Sequence, residues 1–422
     1  MEKLLNIGRK IIPKSVFKKA QPVYHYLLAL AGAFYYKFPS RKIYVIGVTG
    51  TKGKTSVTEL VNEILGGAGY KTALLNTIHF KIGEKEERNL FKMTMPGRFF
   101  IQRFLHSAVA SKCKYVVMEM TSEGVKQFRH KFIALDTLIF TNIAPEHIES
   151  HGSFENYLNA KLEIAKALES SPKKNKLIIA NTDDEYGEKF LNIKVPNKIP
   201  LSVKNAEPYM LSEKFTEITF DGLKMHLKLV GEFNIYNTLS AMHFAKTQNI
   251  DTQTIRKAVE KFSGAKGRVE RVEEGQNFTV IVDYAHTKES LEALYNAFDK
   301  SDKICVLGNT GGGRDKWKRP DMGTVADKYC KHIILTNEDP YDEDPMEILK
   351  EMKKGIKEQT PEIILDRREA IKKAFTLAKE NDIVLITGKG TDPYIMEAKG
   401  KKTPWNDVEV AREELNSYIF KS

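Results

Sequence analysis

The stretch Val45-Ile46-Gly47-Val48-Thr49-Gly50-Thr51-Lys52-Gly53-Lys54-Thr55 constrains this chain more than any other. It has the pattern of a buried strand turning through a glycine-rich loop into a helix, with Gly-Lys-Thr at the helix mouth. The backbone N–H groups of such a loop converge on an anion, and the helix N-terminus adds partial positive charge. Lys54 is then placed to reach the terminal phosphates of a nucleotide, and the Thr55 hydroxyl to reach Mg²⁺. One departure stands out: Val48 sits where the general phosphate-loop pattern wants glycine. The expectation is a triphosphate cradle made of Gly50, Thr51, Lys52, Gly53, Lys54 and Thr55.

From Lys42 onward, short apolar runs alternate with helical periods. Strands are predicted at 43–48, 115–120, 137–141 and 177–180. After the loop, Val57, Leu60, Val61, Ile64 and Leu65 recur at helical spacing until Gly66-Gly67. This alternation predicts an α/β domain with a mostly parallel, doubly wound sheet, whose ligands bind at the carboxyl ends of the strands. Residues 215–230, around Asp221-Gly222, are expected to form a β-hairpin at an antiparallel edge of the same domain. A hinge is expected at 262–268. Beyond it a smaller Rossmann-like α/β unit follows, with strands at 279–283, 304–307, 332–336 and 382–387. The domains are therefore drawn as a basic helical arm (1–41), a central ATP-binding domain (42–266) and a C-terminal α/β domain (267–422).

A chain of 422 residues is too long for one ordinary core. Its net charge of +11 invites a nucleic-acid reading, but residues 1–42 hold nine Lys/Arg against one acid and carry +8 of it. The remainder is nearly balanced, so no nucleic-acid partner is expected. The basic arm has apolar residues at Leu4, Leu5, Ile11, Ile12 and Val16, then a short aromatic-rich apolar run over 24–36. Two readings of it are open: an arm lying on an anionic membrane surface, or one packed on its own domain or a second subunit. The three cysteines, Cys113, Cys305 and Cys330, are scattered. That argues against a disulfide framework or zinc site and fits a reducing cytosol, at the inner face of the membrane if the arm binds there.

Glu119 ends an apolar strand, where an unpaired carboxylate is costly. His147 follows the next strand, and the two could hold a divalent ion. At this point the ordered motifs Thr49–Thr55, Met118-Glu119-Met120-Thr121-Ser122 and Thr141-Asn142-Ile143…Glu146-His147…His151-Gly152 resemble the Mur ligases. Within them they are most similar to the UDP-N-acetylmuramyl-tripeptide synthetases, which add the third residue of the peptidoglycan stem peptide. Further motifs follow in the family's order: Gly231-Glu232-Phe233-Asn234-Ile235-Tyr236-Asn237, Gly267-Arg268-Val269-Glu270, Asp283-Tyr284-Ala285-His286-Thr287, Gly311-Gly312-Gly313-Arg314-Asp315 and Gly388-Lys389-Gly390.

The resemblance implies an ATP-dependent acid–amino-acid ligase. ATP would phosphorylate a carboxylate of a muramyl-L-Ala-D-Glu acceptor, and an amino acid would attack the acyl phosphate. It implies Lys54, Glu119, His147 and Lys161 as catalytic residues. Two Mg²⁺ ions would be held by Thr55, Glu119, His147 and a carbamylated Lys161. Taken alone, Lys161 reads as a solvated helix lysine. ATP would also meet Asn234, Asn237, Arg268, Asp283 and His286, the last three on a domain that swings in. Thr94, Thr121, Ser122, Arg129, Arg314, Asp339, Tyr341, Gly388 and Asp392 would contact the acceptor or the incoming amino acid.

Three departures qualify the match. About forty residues precede the first strand, too few for the family's uridine-binding domain. The uridine site is then missing, rebuilt from the arm, or supplied by another subunit. Where diaminopimelate-using members carry Asp-Asn-Pro-Arg, this chain has Glu338-Asp339-Pro340-Tyr341. Tyr341 cannot form a bidentate ion pair, which disfavours diaminopimelate and points to lysine or another amine. The family's Gly-Lys-Gly-His-Glu appears as Gly388-Lys389-Gly390-Thr391-Asp392, with a shorter acidic arm. Rival readings are the same chemistry on a lipid-linked or folate-like acceptor, and a non-catalytic ATP-binding regulator.

Overall fold

A computed structural model describes residues 14–419, with backbone alone for 14–19. Leu4, Leu5, Ile11, Ile12 and the Val16 side chain thus lie outside the described residues. The helix Lys14–Tyr35 is followed by the first strand, Tyr44–Thr49. That strand sits inside an eight-stranded sheet, flanked by parallel Tyr115–Glu119 and Thr137–Phe140. Leu177–Asn181 and Asn197–Leu201 extend it on one side, also parallel. Thr72–Leu75 extends it in parallel on the other, ending in the antiparallel pair His79–Ile82 and Lys85–Arg88.

The helix Lys54–Gly67 exists because its apolar positions recur at helical spacing: Val57, Leu60, Val61, Ile64 and Leu65 are all buried. Each contributes about 1.5–3 kcal/mol by burial. They pack with Leu239 and Met242 of the helix Glu232–Thr247 on one face of the sheet, while Leu105, Leu158 and Ile164 cover the other. The second sheet has six strands in the order Glu270–Arg271, Thr279–Asp283, Ile383–Thr387, Lys303–Leu307, His332–Leu335 and Glu362–Ile363, parallel except the first. Leu291 and Met322 cover one face, Ile371 and Phe375 the other.

Two expectations need correction. The hairpin forms as Thr216–Phe220 and Leu223–Leu227, but it joins Met210–Leu211 in a separate three-stranded sheet. The antiparallel edge of the large sheet comes instead from His79–Arg88, whose outer strand is wholly exposed and rich in charge, so no apolar alternation announced it. Cysteine pairing is the second correction: Cys305 and Cys330 form a disulfide. Cys305 lies in the strand Lys303–Leu307, and Cys330 ends the helix that precedes the neighbouring strand. A single pair 25 residues apart leaves no spacing pattern to read. Among the described residues no helix is long and apolar enough to cross a membrane.

Candidate active site

The carboxyl ends of the central strands of both sheets face one cavity of about 520 Å³. Thr51, Lys52, Gly53, Lys54, Thr55, Glu119, Asn142 and His147 line it from the large sheet. Asn234 and Asn237 line it from the helix Glu232–Thr247, and Arg268, Asp283 and His286 from beyond the hinge. Glycine is required at two loop positions: Gly50 and Gly53 have φ of 150° and 83°. A Cβ at Gly50 would strike Thr141 Oγ1, and one at Gly53 would strike Asn237 Oδ1.

Within the loop, Lys54 Nζ donates to the carbonyls of Gly50 (3.0 Å) and Thr51 (2.9 Å). Lys161, 2% exposed, donates to the same Gly50 carbonyl at 2.6 Å and lies over the Tyr157 ring. Two ammonium groups thus converge on one oxygen. Burial, then the Lys54 charge, holds Lys161 well below the ordinary lysine value. Burial also lowers Lys54, while Glu119 and Glu146 pull it the other way. A buried lysine with a depressed pKa supplies the neutral amine that carbamylation by CO₂ needs.

Glu119 is fully buried and accepts from the Thr77 N–H (3.2 Å) and hydroxyl (2.9 Å). Thr77 in turn bonds Thr94 (2.9 Å). Among the described residues no three His, Cys, Asp or Glu side chains are placed to hold a metal by themselves. The oxygens of Thr55 and Glu119 are of the kind that suits Mg²⁺, which keeps waters and phosphate oxygens and needs only one or two protein carboxylates.

The two domains are clasped here. The N–H groups of His147 and Ile148 donate to Asp315 of the C-terminal domain at 2.9 and 3.1 Å. Glu146 takes Lys52 at 3.1 Å and His286 at 2.9 Å. Burial would raise Glu146, but Lys52, His286 and His147 outweigh it and hold its carboxyl well below the usual range. Two acceptors, Tyr284 O and Glu146, face the His286 ring, so making both bonds needs the charged imidazole. Burial, with Lys52, opposes that charge and pushes its pKa down to about 4. Asp283 accepts from the N–H groups of Val269 (2.8 Å) and Ala285 (2.6 Å), and Arg268 stacks on Tyr284.

Of the residues expected at the acceptor, Thr94 and Thr121 line the cavity. Ser122 begins the short helix capped by Thr121. Arg129 is buried away from the cavity lining and donates to Gln127 Oε1 (2.7 Å) and the Met95 carbonyl. Asp339 and Asp392 gather elsewhere, around Lys389 at 2.9 and 3.3 Å and Lys92 at 2.7 and 3.1 Å. Gly388 begins the turn leading to Lys389, and Arg314 lies over the Tyr341 ring. Sequence reading passed over Lys92, Glu146 and Asp315 as site residues. Glu146 and Asp315 lie inside the family's motifs, whereas Lys92 has no signal, because its partners lie some 250–300 positions away.

The geometry is that of an ATP-using enzyme that closes a phosphate-loop domain against a second α/β domain. The chain matches the Mur ligase middle domain over residues 48–245 and the Mur ligase glutamate ligase domain over 267–390. It is 35% identical over 407 residues to the UDP-N-acetylmuramoyl-L-alanyl-D-glutamate–2,6-diaminopimelate ligase of Syntrophomonas wolfei, covering 93% of this chain and 82% of that one. It is 37% identical over 390 residues to the like-named ligase of Aquifex aeolicus (89% and 78%). A solved structure of a like-named diaminopimelate ligase superposes with a TM-score of 0.61 at 26% identity (89% and 79%). Folylpolyglutamate synthase of Mycobacterium tuberculosis shares the fold, with a TM-score of 0.72 at 16% identity (88% and 96%). The chain belongs to the Mur ligase family and is an ATP-dependent carbon–nitrogen ligase.

Proposed function

We propose that this ligase joins an amino acid to the D-glutamyl carboxylate of a muramyl-L-Ala-D-Glu acceptor, through an acyl phosphate formed with ATP. The observation that carries the reading is the convergence of Lys54 and Lys161 on the Gly50 carbonyl, beside buried Glu119 and across from Arg268, Asp283 and His286. Phosphoryl transfer asks chiefly for positioning and for cations around the transferred group. Lys54 supplies one such charge. Mg²⁺ held by Thr55, Glu119, His147 and carbamylated Lys161 would neutralise phosphate oxygens. Thr77 and the Glu119 carboxylate fix Thr94 at the acceptor side, and Arg129 clamps the second glutamyl carboxylate. On this reading residues 42–266 and 267–422 act as the two jaws, and the Glu146–His286 and Asp315–His147 contacts hold them shut. The relatives' names point to diaminopimelate as the amine. Tyr341, at the position of that group's carboxylate-gripping arginine, favours lysine or another amine.

The test is phosphate release with UDP-MurNAc-L-Ala-D-Glu, ATP and a panel of amino acids. Release with one amine only supports the reading; silence with every amine moves it to a lipid-linked or folate-like acceptor.

The arm supports a second proposal, contact with an anionic lipid surface on the cytoplasmic side. Residues 20–36 carry no charged side chain except the titratable His25. The helix packs through Ala29, Gly32 and Ala33, with Phe99 against Gly32, and exposes Val23 (60%), Leu27 (56%), Phe34 (76%) and Tyr35 (71%). Small residues inside and bulky ones outside invert the usual amphipathic arrangement. With +8 of charge in residues 1–42, the complementary partner is an anionic bilayer. Sedimentation with anionic vesicles should be lost in a Leu27→Asp/Phe34→Asp double variant; self-association in place of vesicle binding would refute the lipid reading.

A further inference from the structure

Where the arm meets the central domain, three protonatable side chains from three segments come together with no carboxylate bonded to them among the described residues. His25 lies on the helix Lys14–Tyr35, Arg98 opens the helix Arg98–Ala110, and Arg129 follows the turn after Ser122–Lys126. Tyr26 fixes the approach by packing its ring on Phe128 and Phe132. Each of the three has a buried nitrogen with no hydrogen-bond partner among the described residues: both ring nitrogens of His25, Nη2 of Arg98 and Nε of Arg129. The bonds that are made go to neutral acceptors, Arg98 to the Gln127 carbonyl and Arg129 to Gln127, Met93 and Met95. The nearest acid, Glu123, is already engaged by His151, Ser150 and Lys126.

The cost of this cluster shows in its titration. Burial, then Arg98 and Arg129, pushes His25 down to about 4; burial, then Arg129, lowers Arg98 to about 10. Unpaired buried donors in one place call for an explanation, and charged N–H donors of this kind are those that bind an oxyanion most strongly. The cluster reaches the cavity through one bond, since Arg129 donates to the carbonyl of Met95, the residue after Thr94, which lines the cavity.

We propose that His25, Arg98 and Arg129 form an oxyanion subsite, completed by the N-terminal arm, that holds an anionic group of the acceptor substrate. This rests on the proposed function and extends the Arg129 clamp by two residues that the arm junction supplies. Two sources share this chemistry: the glutamyl carboxylate that does not react, and the diphosphate that joins the muramyl peptide to its carrier.

The experiment uses the full chain with His25→Ala, His25→Gln and Arg98→Ala, and Arg98→Lys as a charge-retaining control. KM for the acceptor should rise roughly tenfold or more in the alanine variants, with kcat and the ATP KM within about twofold. Arg98→Lys should recover part of the loss. An acceptor whose free carboxylate is amidated, compared with one lacking the diphosphate, identifies the source: the analogue missing the bound group feels no further loss in the variants. Unchanged acceptor KM, or parallel loss of ATP affinity and folding stability in every variant including His25→Gln, would overturn the subsite. Calorimetry with inorganic pyrophosphate and phosphate, with ADP saturating the phosphate loop, gives a readout free of turnover. A single saturable site that Arg98→Ala removes supports the proposal even if no muramyl acceptor turns over, in which case the proposed function alone fails. No such site in the wild type counts against the subsite.

Discussion

The phosphate-loop end of this site and the end proposed to take the amine are built on opposite plans. At the nucleotide end, one continuous stretch from Gly50 to Thr55 supplies the loop, and Lys54 and Lys161 turn their ammonium groups onto its own carbonyl around an open cavity. At the amine end there is no such stretch. Lys92 from one domain meets Asp339, Lys389 and Asp392 from the other, and the four charges close on one another. The phosphate-loop end pairs Lys54 and Lys161 with carbonyls and not with carboxylates, so they are left to answer a ligand's charge. The cluster around Lys389 is already neutralised, so on the proposed reading an incoming ammonium displaces Lys92 to reach Asp339 and Asp392. An end that must bind a fixed ligand can be written locally; an end that selects among amines is assembled from distant parts.

The largest effect is expected at Lys161. Lys161→Ala should lower turnover by about 10²–10³-fold, the scale of a lost preorganised charge, while ADP binding by calorimetry stays near the wild-type value. Unchanged phosphate release would take Lys161 out of the chemistry and leave the nucleotide end resting on Lys54 alone.

Acid should separate the two ends next. His286, at the nucleotide end, is lowered to about 4 against about 6.5 in the unfolded chain. The unfolded state therefore takes up the proton first, and this stability is full above pH 6.5 and declines as pH falls toward 4. At the amine end, burial alone would raise Asp339, but Lys389 and Lys92 bring its pKa below the usual value. Its contribution is present above the unfolded value near 3.9 and is lost only at lower pH. Unfolding free energies from urea titrations should fall between pH 7.5 and 5.5 by about 1 kcal/mol more in the wild type than in His286→Gln. Equal slopes would mean that Glu146 keeps the imidazole charged.

The smallest effect is expected at Lys92. Lys92→Met should lower the KM for the amine by about threefold, with the ATP KM unchanged, because a competing ammonium has been removed. A raised amine KM would show that Lys92 supports the pocket rather than fills it.

Sequence reading placed the central strands within a residue or two, because a strand buried on both faces must be continuously apolar, and Tyr115–Glu119 or Ile383–Thr387 can be little else. It missed the short buried strand Thr72–Leu75 and Asn197–Leu201, largely exposed with a proline inside it, and put the 216–227 hairpin on the wrong sheet. Pattern reports which face is buried, not against what. The same limit applies to single side chains. Glu119 drew notice because an acid ending an apolar strand is an anomaly in one dimension, while Lys161 looked like any helix lysine until the fold buried it.

By itself, then, the amino-acid sequence determined the phosphate loop, the parallel sheets and the order of the motifs. These follow from hydrophobic period and from glycines whose backbone angles other residues resist. Only the tertiary structure decided that Lys54 and Lys161 share the Gly50 carbonyl, that Asp315 and Glu146 clasp the domains, that Lys92 fills the amine end and that His25 meets two arginines. Each of those depends on charges brought together across a large separation in the chain, where desolvation sets their strength and no local pattern records the partner.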